Sequence, residues 1–197
     1  QDLRSILRRT ERNHKQPPIE IAVQIARNIA SALHYAHERR RPDGTLRDIV
    51  HRDVSPSNIL VSYDGAIKLA DFGVAKASSS SVRTRTGTLK GKVGYMSPEQ
   101  ARGTTIDRRS DIFSLGVVLW ELVAIRRLFK CENDLATIQA IINLAPPPLA
   151  PGRDDCPPEL DRIVGRALAK DPATRYQTAQ ELQKDLEELA REHKLNQ

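Results

Sequence analysis

The run from Ile112 to Ile125 constrains this chain more than any other feature, because its apolar side chains would point to nearly every side of a helix. A helix that is hydrophobic all round must be surrounded, either by lipid or by the other elements of a packed domain. The run is too short to cross a bilayer and contains Glu121, so a membrane span within these residues is excluded. It reads instead as a helix buried in the middle of a helical lobe. The chain is long enough for that: area scaling lets 197 residues bury about 70% of the surface of the extended chain. With 39% hydrophobic but only 4% aromatic residues, the core has to be aliphatic.

The remaining elements can be placed around that run. Residues Asp2 to Arg9 read as a short helix with Leu3, Ile6 and Leu7 on one face, followed by a polar stretch from Thr10 to Gln16. Pro17-Pro18 then opens a long helix, where a missing N–H costs nothing. Its expected buried stripe is Ile21, Ile25, Ile29, Leu33 and Ala36. Asp43-Gly44 turns the chain, and Asp64-Gly65 between the apolar runs Ile59–Tyr63 and Ala66–Leu69 predicts a hairpin. Ser78 to Ser81 and Arg83 to Thr88 lack periodicity and read as a loop, as does the proline-rich stretch from Pro146 to Pro151. Leu160, Ile163, Val164, Ala167 and Leu168 mark another amphipathic helix, stopped by Asp171-Pro172. The final helix starts with a capping box, Thr178 and Glu181, and buries Ala179, Leu182, Leu186 and Leu189. The expectation is one mainly α lobe with a small β hairpin, spanning residues 1–197.

Several functions are disfavoured. The formal net charge of +6 admits phosphorylated partners, but the arginines fall in scattered pairs such as Arg8-Arg9 and Arg126-Arg127, with almost no aromatics between them to stack on bases. No nucleic acid is expected. Cys131 and Cys156 stand apart, without C-x-x-C spacing, and read as free thiols. His34 and His37 lack a third ligand nearby and read as partners of backbone or solvent rather than of a metal. The chain begins at Gln1 with no apolar signal segment, and is read as cut from a longer protein with no sign of secretion.

Chemistry is concentrated in His51-Arg52-Asp53-Val54-Ser55-Pro56-Ser57-Asn58, then Asp71-Phe72-Gly73, then Ser97-Pro98-Glu99. Asp53, Asn58 and Asp71 flank the hairpin, which can bring its two ends together. Two carboxylates and an amide are hard oxygen donors; they suit Mg²⁺, and Mg²⁺ suits phosphates. Any one of these triplets arises by chance, but all of them in order do not.

These residues resemble the C-terminal lobe of a eukaryotic-type protein kinase, and the S-P-E-Q ending resembles the bacterial serine/threonine kinases. The resemblance implies an enzyme that transfers the ATP γ-phosphate to protein serine or threonine, with ATP and Mg²⁺ as cofactors. It implies a catalytic loop at 51–58 and an activation segment at 71–99. In it Asp53 orients the substrate hydroxyl and takes its proton, while Asn58 and Asp71 hold Mg²⁺ and contact ATP. Leu60 falls where the family has an apolar floor under the adenine. His51 and Phe72 match the hydrophobic stack, Asp111 the aspartate that holds the catalytic-loop backbone, and Glu99 and Arg175 an ion pair. Arg52 implies an activation loop ordered by phosphorylation, with Thr88 and then Thr86 as the sites. A cytoplasmic domain acting on protein substrates, and able to form a dimer for autophosphorylation, is expected.

Two residues depart from the family pattern. Ser55 stands where a lysine usually contacts the γ-phosphate, and Gly91 is followed by Lys92 rather than threonine. A lysine stem from Lys92 would reach Asp53 and supply the missing cation. The glycine-rich loop, strand lysine and helix glutamate of an N-terminal lobe are absent from these residues, so the fragment alone is expected to be inactive. The alternative reading is a pseudokinase, a scaffold that keeps the lobe to bind partners.

Overall fold

A computed structural model describes residues 1–72, 92–149 and 153–195 of the chain. Among these residues the order is α1 (Leu3–Arg12), α2 (Ile19–His37), β1 (Ile59–Val61), β2 (Ile67–Leu69), α3 (Pro98–Arg102), α4 (Arg108–Ala124), α5 (Asp134–Asn143), α6 (Pro158–Ala167) and α7 (Ala179–Glu192). The strands β1 and β2 pair antiparallel with Leu60 opposite Lys68. Mainly α with one small hairpin is therefore the observed class.

The all-round apolar run is the centre of the molecule. Every residue of α4 from Ser110 to Val123 is buried, and α2, α6 and α7 pack around it. Full burial of one such aliphatic side chain stabilises by roughly 1.5–3 kcal/mol, so this helix anchors whatever is tied to it. Asp107 caps its first turn by accepting from Arg109 N at 2.8 Å. Its crossing with α6 is close: a Cβ on Gly116 would lie 3.0 Å from Ala167 Cβ. Trp120, the largest fully buried side chain, donates its indole N–H to Pro147 O at 2.9 Å.

Several expected boundaries shift, each for a physical reason. Helix α1 runs on to Arg12 through residues expected to be non-helical: Thr10 is half-buried and Glu11 and Arg12 are exposed, so their polar side chains reach water without breaking the helix. In α2 the expected stripe fails at Ile21, which is 46% exposed, whereas Ala22, Val23, Ala26 and Ala30 are buried. A strict four-residue spacing advances about 40° beyond a turn at each step, so Ile21 lies about 120° away from Leu33. The hairpin loop is Tyr63-Asp64-Gly65, three residues rather than two: Ser62 N donates to Ala66 O, and Gly65 takes φ 85°. Thr178 caps α7 as expected, accepting from Glu181 N, but the Glu181 carboxylate accepts from Gln177 N instead of closing the box on Thr178 N. The helices α3 and α5 have no counterpart in the expected elements. Both cysteines are free thiols. No helix among the described residues is long and apolar enough to cross a membrane.

Candidate active site

The site begins with Asp111, buried in the first turn of α4. Its carboxylate accepts from His51 N and from Arg52 N, each at 2.8 Å, and pairs with His37 Nε2 at 2.8 Å. His37 therefore has a carboxylate partner from a different helix, not the backbone or solvent partner expected of it. These bonds fasten the loop at 51–58 to the central, most deeply buried helix. They also hold Arg52 at φ 65°, a left-handed conformation that costs on the order of 1–3 kcal/mol outside glycine and persists only when its surroundings impose it. Gln100 Nε2 donates to Arg52 O at 3.0 Å, while Gln100 Oε1 accepts from Ser97 N in the capping box of α3. One amide thus closes a helix end and braces the loop.

Asp53 is ordered from both sides in sequence. Its N–H donates to His51 Nδ1 at 3.3 Å, which leaves the proton of that ring on Nε2, donating to Ala70 O at 3.0 Å. Its carbonyl accepts from Asn58 Nδ2 at 2.8 Å. With that N–H₂ committed inward, Asn58 Oδ1 remains as an oxygen donor. Ala70 N donates to Asn58 O at 2.8 Å, so the hairpin does bring Asp71 beside Asn58. Asp71 is exposed and sits at φ 57°, a second non-glycine left-handed residue at the site. Phe72 stacks obliquely on His51, with ring centroids 4.6 Å apart. An amide oxygen and a carboxylate facing solvent are a donor set that fits Mg²⁺.

Lys92 completes the group. Its Nζ lies 2.7 Å from Asp53 Oδ2, with the lysine 30% and the aspartate 19% exposed. Ser55 is fully buried, and its hydroxyl has no partner among the described residues. Position 55 therefore offers no charge to the site, and Lys92 does. Leu60 is 43% exposed on β1, an apolar surface open to a ligand. Thr86 and Thr88 lie outside the described residues, and so does any partner they would give Arg52.

Glu99 and Arg175 form a second, fully structural cluster. Arg175 makes a two-pronged pair with Glu99 at 2.7 and 2.8 Å, and Ser110 Oγ donates to the same carboxylate at 2.5 Å. Burial pushes the Glu99 carboxyl up, but the bonds from Arg175 and Ser110 outweigh it and hold it below the usual range. Sequence reasoning missed His37 and Gln100. Only the Gln that follows S-P-E signalled the second, as the N3 residue of a capping box opened by Ser97.

Comparison with known proteins gives the class to which this arrangement belongs. The protein kinase domain family matches residues 1–186, and the chain is a member of that family. Among its relatives, the tyrosine-protein kinase MasK of Myxococcus xanthus is 43% identical over 98% of this chain and 30% of its own length. The serine/threonine-protein kinase PknB of Mycolicibacterium smegmatis is 40% identical over 84% of this chain and 25% of its own. PrkC of Bacillus subtilis, also a serine/threonine-protein kinase, is 37% identical over 89% of this chain and 26% of its own. The crystal structure of the Mycobacterium tuberculosis PknI kinase domain superposes with a TM-score of 0.69 at 28% identity, covering 95% of this chain and 61% of that one. The chain thus spans under a third of those curated relatives and about three fifths of a solved kinase domain.

Proposed function

We propose that the protein containing this lobe is a serine/threonine protein kinase that transfers the γ-phosphate of ATP to a protein hydroxyl, with residues 1–197 as its C-terminal lobe. The observation that carries this reading is the ordering of Asp53 by Asn58 on one side and the Asp111-anchored His51 on the other. In this reading residues 51–58 are the catalytic loop and 71–99 the activation segment. Asp53 orients the acceptor hydroxyl and takes its proton as the oxygen attacks the γ-phosphorus and ADP leaves. Asn58 Oδ1 and the Asp71 carboxylate hold Mg²⁺, which when bound neutralises the charge of the phosphates. Lys92 holds Asp53 in place and presents the cation that Ser55 lacks. Leu60 offers the adenine an apolar surface. Arg52 pairs with phosphate on Thr88 or Thr86, added by a second copy in a dimer. The lobe works on the cytoplasmic side, on protein substrates, and without its N-terminal lobe it turns over negligibly.

The similarity to MasK supports a second reading, in which the acceptor is tyrosine. One experiment addresses both. Single-turnover transfer by the full-length protein is measured on serine, threonine and tyrosine peptides, with Asp53→Asn beside it. We expect transfer to serine or threonine and a loss of about 10²–10⁴-fold in the variant, with nucleotide binding kept. Transfer to tyrosine alone supports the second reading. Transfer by the variant at the wild-type rate removes Asp53 from its role, and no transfer by either protein leaves a scaffold.

A further inference from the structure

A cavity of about 510 Å³ opens beside the candidate site, between α1, the turn at Val93–Tyr95, the end of α4 and the start of α5. Pro56, three residues after Asp53, and Val93, the neighbour of the Lys92 that pairs with Asp53, are among its lining residues. An extended peptide advances about 3.4 Å per residue. One whose hydroxyl sits at Asp53 therefore lays residues a few places from the acceptor in this groove.

The charge of its walls is lopsided. Glu121, one of three acids lining it, is 2% exposed and turned inward: it accepts from Tyr95 Oη at 2.6 Å, Arg127 Nε at 2.9 Å and Leu128 N at 3.0 Å. Burial also pushes its carboxyl above the usual range, against the pull of Arg127. Arg127 is committed to that pair and to the face of Tyr95, 4.7 Å away. Among the described residues, the groove is left with Arg4, Arg8, Arg126 and Lys130 against Glu11 and Asp134. Arg4 and Arg8 lie one turn apart, on the same side of α1. Arg126 is exposed and fixed by stacking on Trp120, 4.9 Å from the ring centroid. A guanidinium held in that way is pre-organised to take a carboxylate on both prongs.

We infer that this groove selects acidic peptides: the substrate carries aspartate or glutamate within a few residues of the phosphorylated hydroxyl. The inference rests on the kinase reading above and adds the class of sequence that the kinase accepts. Wide-ranging positive potential along a groove raises the association rate of an anionic segment and penalises a cationic one.

The test uses the full-length protein and peptides that share one acceptor but carry glutamate, alanine or lysine in the flanking positions. The expected order in kcat/KM is glutamate, alanine, lysine, with at least tenfold between the extremes at low salt and a smaller ratio as salt rises. Arg8→Glu with Arg126→Glu should invert that order. The ratio is read within each variant, so a lower overall rate does not obscure it, and Lys130→Glu at an exposed position repeats the test should the double variant not fold. Transfer that is indifferent to flanking charge, a preference for lysine, or an order unmoved by charge reversal overturns the acidic groove and leaves the kinase reading standing. Transfer to no peptide at all overturns both.

Discussion

Arg175 places all five of its guanidinium N–H groups inside the protein: two on Glu99, and the others on the carbonyls of Ala169, Arg109 and Lys170. At 1% exposure it has no water to fall back on, so removing either partner leaves a buried charge without its counter-ion. Arg175→Met should cost on the order of 3–5 kcal/mol in urea unfolding of the full-length protein, and adding Glu99→Leu should return most of it. A loss under about 1 kcal/mol, or a double variant worse than the single one, would show that the pair contributes little. Acid should act on the same cluster. The Glu99 carboxyl titrates below its ordinary value, so its stabilisation is present above that ordinary value and is lost as pH falls through the lowered one. At this scale the ion pair and the Asp111 anchor were both legible through motif resemblance, because the family motifs name both partners of each although 60 to 76 residues separate them. His37 was not: its partner is 74 residues away, and nothing in the spacing of His34 and His37 on one helix points to it.

At the scale of elements, one lysine couples three of them. Lys170, just after α6, donates to Ile141 O of α5 at 2.6 Å and lies 4.9 and 5.5 Å from the rings of Phe129 and Phe113, the latter on α4. Burial pulls its ammonium down to about 8, with Arg175 adding to the effect. The unfolded chain, with a lysine near 10.5, therefore binds more protons than the folded one between about pH 8 and 10.5, and this group makes stability rise with pH across that window. Cys156 works the other way, because burial pushes its thiol up to about 11 and the folded state keeps a proton that the unfolded one releases. The measurable quantity is thus a difference: Lys170→Met should lose the upward contribution, so the gap between wild type and variant should change in favour of wild type from pH 8 to 10. A gap that stays constant with pH would contradict this assignment. Elements with a sustained pattern and punctuated ends, such as α2, α4, α6 and α7, were legible in the sequence. The short α3 was not, since five residues carry too few apolar positions to set a period, and α5 was not because its six apolar residues fall on every side, Leu135 among them being 68% exposed. The hairpin was legible but its loop length was not, because Asp64-Gly65 serves a two-residue turn and the end of a three-residue one equally well.

Taken as a whole, the described residues form a line of support in which the central helix fixes a loop, and the loop fixes a carboxylate. The buried α4 holds Asp111, Asp111 holds the backbone at His51 and Arg52, and that backbone with Asn58 sets Asp53. Two residues that depart from the usual kinase pattern, Ser55 and Lys92, meet at this end point: one is buried and uncharged, and the other brings an ammonium to 2.7 Å from Asp53 Oδ2. The departures, and the reach of Lys92 to Asp53, were expected from the family resemblance; local patterning alone does not encode how the turn at Val93–Tyr95 packs. A unit charge about 4 Å away at an effective dielectric of 20 interacts by at most about 4 kcal/mol, reduced here by the partial exposure of both groups. Such a charge acts most strongly where negative charge builds up as the phosphoryl group is transferred, so its loss should appear in the rate more than in nucleotide affinity. The most direct measurement is single-turnover phosphoryl transfer by the full-length protein carrying Lys92→Met, at saturating Mg-ATP. A rate lowered by about 10²-fold, with ATP affinity changed far less, is the predicted result; a rate equal to wild type would contradict the assignment of this cation to Lys92.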